Sequence, residues 1–289
     1  MRVLITGHRG FVGRYFTKAL EDHHLTLVDI VENKDARDFF RHNDTTYDLV
    51  IHLAAIVGGR KMIELFPLAL SADLSIDAEM AQWALRTKPT QLVYFSSSAA
   101  YPIELQQPGS THKLKEQDIN LSDIRQPDMT YGWAKLTGEM LCKYLREQGL
   151  TVLVLRPFSG YGADQSPDYP FPSLIRRGLL RANPFQIWGS EQTVRDWVHI
   201  EDIVEATLLL AKCRLNVTVN LASGRPTPFG ELARIICNQV GYQPDLEIAL
   251  DAPKGVAYRV GDPTFLHSLG YSPRISLEEG VARALSVGL

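Results

Sequence analysis

A glycine-spaced turn near the amino end leaves this chain few ways to fold. Gly7-His8-Arg9-Gly10-Phe11-Val12-Gly13 follows an apolar run at 2–6 and precedes an amphipathic stretch at 11–21. A buried strand that turns through glycines straight into a helix is the opening of a parallel strand–helix–strand unit. Gly7 permits the tight turn, Gly10 lets the backbone approach a ligand, and Gly13 lets the helix pack on the strand. The alternation then repeats. Apolar runs at 25–29, 48–53, 91–96 and 151–156 read as strands. Between them lie helical patterns at 35–41 with Asp35 as N-cap, at 67–86 with Pro67 in the first turn, and at 131–147. Such spacing implies a doubly wound parallel sheet, with every strand end facing one crevice.

After Arg156 the pattern changes. The stretch 157–192 is rich in Pro, Gly and aromatics, with a helix expected over 172–181. A helix at 201–212 and an apolar run at 217–221 could return the chain to the sheet. Thr227 is expected to cap a helix beginning at Pro228, and Ser276-Leu-Glu-Glu279 has the form of a capping box. The expected architecture is therefore α/β: a Rossmann-type doubly wound parallel sheet from 1–158 and 196–224, with a smaller C-terminal substrate-binding lid from 159–195 and 225–289.

The 289 residues are 45% hydrophobic and 22% charged with a net charge of −3, which points to neither nucleic acid nor an anionic membrane. No apolar run reaches transmembrane length. The first strand begins at residue 2, so no signal peptide is expected and the reading is cytoplasmic. Cys142, Cys213 and Cys237 are far apart and read as buried reduced thiols, with no disulfide frame and no metal site.

Three features carry chemistry. The glycine turn, in its strand–helix context, offers a helix N-terminus to the phosphates of a dinucleotide. Asp29 ends the second strand about 20 residues on, where a carboxylate accepts adenosine ribose hydroxyls and repels a 2′-phosphate, favouring NAD. Its alternative is a turn-capping role. Only Ile30–Lys34 separate it from the next helix, so a third strand on that side is missing or compressed, and Asp35 could then be the residue near the adenine. The segment Tyr131-Gly-Trp-Ala-Lys135 puts a phenol and an ammonium on one helix face, a candidate base for a sugar or alcohol hydroxyl. Ser96-Ser97-Ser98 closes the run before it.

Together these residues resemble the extended short-chain dehydrogenases/reductases of the NAD-dependent nucleotide-sugar epimerase/dehydratase family. The likeness rests on Thr6–Gly13, His52-Leu53-Ala54-Ala55, Ser96–Pro102, Tyr131–Lys135, Leu155-Arg-Pro157-Phe158 with Tyr161-Gly162, and Arg195-Asp-Trp-Val-His199-Ile-Glu-Asp202. The resemblance implies Ser97, Tyr131 and Lys135 as catalytic residues. Tyr131 would be the base, Ser97 would hold the sugar hydroxyl, and Lys135 would bind the nicotinamide ribose and ease the tyrosine's ionisation. The implied cofactor site comprises Gly7, Arg9, Gly10, Phe11, Val12, Gly13, Asp29, Leu53, Ala54, Ala55, Tyr131, Lys135, Pro157 and Phe158. Ser98, Ser159, Arg195 and Arg259 would meet the substrate, the two arginines at the diphosphate of a nucleotide-diphosphate sugar. For Arg195 the alternative is an ion pair with Asp196 or Glu191. A homodimer through 67–86 and 131–147 is also implied.

Two segments, 54–59 and 253–270, look like GDP-fucose synthase and its relatives, yet the departures weigh more. Ala99 stands where that enzyme has its epimerising Cys, and its partner His falls near Tyr169. Ser98-Ala99 stands where the 4,6-dehydratases have Asp-Glu. The family's usual Asn residues appear as Ser159 and Asp73. What remains is an alanine-lined Ser/Tyr/Lys site. The expectation is an NAD-dependent epimerase acting at C4 through a transient 4-keto sugar. The alternative is a 4-ketoreductase or 4-dehydrogenase, and outside enzymes a cofactor-binding regulator, against which the intact trio argues.

Overall fold

The computed structural model describes residues 1–58, 60–249 and 255–288. Gly59, Pro253 and Lys254, part of the two fucose-synthase-like segments, lie outside the described residues. Six parallel strands form the central sheet: β1 (Arg2–Thr6), β2 (His24–Val28), β3 (Leu49–His52), β4 (Leu92–Phe95), β5 (Val152–Pro157) and β6 (Thr218–Leu221), in the order β6-β5-β4-β3-β1-β2. The return of 217–221 to the sheet is thus observed, beside β5.

The sheet is covered on both faces, which explains its nearly unbroken apolar strands. Side chains alternate across a strand. Val3, Ile5, Ile51, Val93 and Leu153 therefore face a core shared with α1 (Phe11–Ala19) and α6 (Ile200–Lys212). Leu4, Val50, Leu92, Tyr94 and Val154 face the opposite core, packed by α2 (Ala36–His42), α3 (Ser71–Thr87) and α4 (Met129–Glu147). Asp35 caps α2 by accepting from the Arg37 amide. Pro67–Leu70 forms a single 3-10 turn ahead of α3, so the helix expected from residue 67 begins at Ser71. Between β2 and α2 there is only the short turn Ile30–Glu32. Among the described residues no further strand pairs beyond β2, and the sheet ends there.

The lid is built of small pieces. Phe185–Trp188 pairs with Leu246–Ala249, Ser159–Tyr161 with Trp197–His199, and Val194–Arg195 lies between Thr227–Pro228 and Tyr258–Arg259. Around them pack α5 (Pro170–Leu179), α7 (Phe229–Val240) and α8 (Leu277–Val287), over a separate core of Tyr161, Phe171, Phe185, Leu232 and Val281. Buried Asp196 joins lid and sheet by accepting from the Ser223, Gly224 and Gly261 amides.

Two expectations are corrected. Thr227 does not cap α7: it pairs with Arg195 in a short strand, and Pro228 takes the N-cap position without a side-chain hydrogen bond. Cys213 ends α6 exposed, whereas Cys142 and Cys237 are buried, and all three are free. Ser276 caps α8, accepting from the Glu279 amide at 3.1 Å, while the Glu279 carboxylate accepts from Arg283, so only the serine half of the expected capping box is observed. No described helix is long and apolar enough to cross a membrane.

Candidate active site and cofactor cradle

The glycines act through close approach. Gly7 has φ +73°, and a Cβ there would lie 2.8 Å from the Ala54 nitrogen. A Cβ on Gly13 would fall 2.2 Å from the Gly7 carbonyl oxygen. Any larger residue would push the turn off the end of β3, or α1 off the turn. No side chain caps the start of α1 and no acidic residue sits in its first turn. Its leading amides are thus available to an anion, aided by the helix dipole. These residues fit a dinucleotide pyrophosphate. The Leu53 and Ala54 amides donate to Thr6 Oγ1 at 3.3 and 3.2 Å, drawing segment 53–55 across the turn.

Asp29, 7% exposed, accepts from the Arg9 amide at 2.8 Å and the Val31 amide at 3.0 Å. It therefore fixes the turn as well as ending β2. Each oxygen still has a lone pair to offer, because a carboxylate accepts about four hydrogen bonds.

At the end of β4 the three serines divide. Ser96 donates to Glu139, and Ser98 is buried in the one-turn helix Ser98–Ala100. Ser97 caps that turn, accepting from the Ala99 amide at 3.1 Å, and lines the main cavity together with Tyr131. Helix α4 can press on this region because two of its positions are glycine. A Cβ at Gly132 would lie 2.4 Å from the Ala99 carbonyl oxygen, and one at Gly138 would lie 1.9 Å from the Tyr94 hydroxyl.

Lys135 is 5% exposed, its Nζ 5.8 Å from the Tyr131 ring centroid and 5.3 Å from that of Tyr94. Burial works against the ammonium. Tyr131, Asp77 and Asp73 outweigh it, and the pKa of Lys135 is raised. Asp77 is engaged at both oxygens, with His52 Nε2 at 3.1 Å and the Tyr94 hydroxyl at 2.6 Å. The site thus holds a phenol beside a buried cation that stays charged, an arrangement suited to moving a hydroxyl proton.

The cavity encloses about 510 Å³ and runs from Ser97, Ala99 and Tyr131 to three arginines. Arg195 lies 5.5 Å over the Phe229 ring. It donates to the Val194 carbonyl at 2.7 Å, while Asp196 holds the loops named above and Glu191 meets Arg234 at 3.1 Å. Arg259 reaches the same wall, but donates to Gln106 Oε1 at 2.6 Å and Asp128 Oδ2 at 2.7 Å. Arg177 stacks 5.7 Å over Trp188 and donates to Ser173.

Sequence reading missed Arg177, Trp188, Asp128 and Gln106. Trp188 carried a signal, as the exposed end of an alternating strand in which Phe185 and Ile187 are buried. Ser98 and Ser159 do not line this cavity: Ser98 is buried, and Ser159 gives its amide to the Asp196 carbonyl at 2.9 Å. The Phe158 ring turns inward against Tyr101, Leu114 and Ala222, leaving Pro157 the less buried of the pair.

A parallel sheet with a glycine cradle, a cavity lined by Ser97 and Tyr131 beneath a lid, and a buried Lys135 beside that tyrosine define a dinucleotide-dependent short-chain dehydrogenase/reductase-like enzyme. The chain belongs to the NAD dependent epimerase/dehydratase family, whose sequence profile matches residues 3–222. Its cofactor is NAD. The chain is similar to GDP-L-fucose synthase of Sinorhizobium fredii, 27% identical over 301 residues and covering 98% of this chain and 94% of that one. GDP-mannose 3,5-epimerase 1 of Oryza sativa subsp. indica is 27% identical over 310 residues, covering 97% and 80%. The solved structure of MoeE5 in complex with UDP-glucuronic acid and NAD aligns at a TM-score of 0.81 with 26% identity, covering 99% of this chain and 98% of that one.

Proposed function

We propose that the protein is an NAD-dependent epimerase acting at C4 of a nucleotide-diphosphate sugar through a transient 4-keto intermediate. The observation that carries this reading is Ala99. Ala99 lines the cavity with Ser97 and Tyr131, where a group able to exchange a carbon-bound proton would be needed for chemistry beyond C4. A methyl group cannot do that.

In this reading residues 1–158 and 196–224 hold NAD, and 159–195 and 225–289 hold the sugar nucleotide. Bound NAD supplies the site that takes up and returns hydride. Tyr131 moves the hydroxyl proton, Ser97 orients that hydroxyl, and Lys135 keeps a positive charge at the phenol. Arg195 grips the diphosphate, since a guanidinium forks onto phosphate oxygens. A homodimer would pair through α3 and α4, which expose Leu74, Trp133 and Tyr144, and sedimentation checks it. The three free cysteines suit a reducing cytoplasm.

The test is turnover of a panel of UDP-, GDP-, CDP- and dTDP-sugars in deuterated water, with products read by mass spectrometry. The expected product is a C4 epimer carrying no carbon-bound deuterium, formed without net use of added NADH. Deuterium at C3 or C5 would overturn the C4 reading and implicate Asp168 or Tyr169, which line the same cavity. Stoichiometric NADH or NADPH use without deuterium would promote the 4-ketoreductase alternative, which the likeness to GDP-L-fucose synthase keeps in play.

A further inference from the structure

Asp73 stands on the first turn of α3 with 1% of its surface exposed. Its Oδ1 accepts from the Ile56 amide, at the end of the segment that crosses the glycine turn. Its Oδ2 is buried and has no hydrogen-bond partner among the described residues. An unpartnered carboxylate oxygen away from water is costly, and the least costly relief is a proton. Asp77, one helical turn further along α3, has no such freedom, since both its oxygens are engaged.

Among the described residues, the charged and titratable groups around this pair come from α4, β4 and β3. Helix α4 brings Lys135, Tyr131, Glu139 and Cys142, β4 brings Tyr94, and β3 brings His52. Glu139 is neutralised by Arg156. Two carboxylates on α3 therefore act on one buried ammonium, the same ammonium that stands beside Tyr131.

We propose that Asp73 is a positioning residue: it anchors the Ile56 end of the cofactor-bordering segment and, by gaining or losing a proton on Oδ2, sets how much of the Lys135 charge is available to Tyr131. This rests on the reading of Tyr131 as the base. Burial, opposed by Lys135, pushes the pKa of Asp73 up to about 6. On the acid side Asp73 is neutral and Lys135 answers chiefly to Tyr131 and Asp77. On the alkaline side the Asp73 carboxylate claims part of that charge. The site thus weakens its own base partner as pH rises through that range.

The test needs no turnover. In the full chain with NAD added, carboxyl ¹³C resonances are followed against pH. The near-ultraviolet phenolate band is followed in the wild type and in Asp73→Asn, with Tyr131→Phe to assign it. Asparagine can still accept from Ile56, so a purely anchoring residue would leave the band unmoved. The expected results are an Asp73 carboxyl titrating near 6 in the wild type, and a Tyr131 phenolate in Asp73→Asn that forms roughly one pH unit lower, the size a single nearby buried charge exerts. NAD affinity should persist in Asp73→Asn and fall in Asp73→Leu, which loses the Ile56 contact. An unmoved phenolate in an NAD-binding Asp73→Asn protein overturns the proposal. So does a wild-type Asp73 that does not titrate in that range, a result that requires no variant to fold. A phenolate band unchanged by Tyr131→Phe would sink the base assignment as well.

Discussion

Around the glycine turn, recognition is a matter of backbone. Gly7, Gly10 and Gly13 have no side chains to offer, and the uncapped start of α1 presents amides. Across the cavity, in the proposed reading, it is a matter of long side chains: Arg177, Arg195, Arg259 and Trp188 line the wall from strands of two to four residues and from α5. The first arrangement is fixed by packing, because the cradle is wedged between β3 and α1. The second is held by side-chain pairs such as Arg259 with Asp128 and Arg177 with Trp188. A cofactor common to a family suits the rigid half, and a substrate that differs between relatives suits the half that can be rewired one residue at a time.

The largest effect should come from breaking the scaffold under the rigid half. Arg156 is buried and donates to both oxygens of Glu139 at 2.9 and 2.6 Å, while Glu139 also accepts from Ser96. Arg156→Met would leave a buried carboxylate unpaired at a cost of about 3–5 kcal/mol. Denaturant titration should show that loss, and a change under about 1 kcal/mol would mean that Glu139 takes up a proton readily and the pair is not structural.

Next in size is the base itself. Tyr131→Phe should lower turnover by about 10²–10⁴ with NAD affinity retained. Near-normal turnover would remove the residue from the chemistry.

The comparison between halves is sharpened most by a reciprocal pair. Arg195→Ala should cost roughly 1.5–3 kcal/mol of sugar-nucleotide affinity and leave NAD affinity unchanged, as loss of a charge-assisted contact does. Asp29→Ala should do the reverse and narrow the preference for NAD over NADP, since it removes both a ribose acceptor and a charge opposed to a 2′-phosphate. Calorimetry with each ligand reads both variants. If either lowers both affinities alike, cradle and cavity are one cooperative unit.

The same contrast explains what was legible in the sequence. The strands of the sheet are apolar runs bounded by turn residues, and the glycine turn has one spacing and one context. Their succession along the chain, the short edge after β2 and the Asp35 cap could therefore be read. The lid strands are too short for a period to register. Thr227 looked like a cap because Pro228 follows it, but the residue is spent on a strand pair with Arg195. Cys213 looked buried in a helical pattern, yet it sits at the end of α6, where the apolar face has run out. Arg195 could be named from its neighbours in the chain, whereas the partners of Arg259 come from segments 131 and 153 residues away. No local pattern encodes such a pair.

The smallest expected effect isolates the lid. Ser276 Oγ accepts from the Glu279 amide at the head of α8, which packs so tightly on Tyr161 that a Cβ at Gly280 would lie 2.2 Å from its hydroxyl. Ser276→Ala removes one cap and no core contact, so about 1 kcal/mol of stability should be lost. Leu277, Val281 and Ala284 remain buried, and the helix should keep its place. If the halves melt together, a single thermal transition should move down by about 2 °C. NAD affinity should not change, because α8 packs chiefly on α5, α7 and the strand Trp197–His199. If instead the transition splits, with the lid melting first and NAD affinity intact, the side-chain-built half is an independent folding unit resting on a sheet that stands without it.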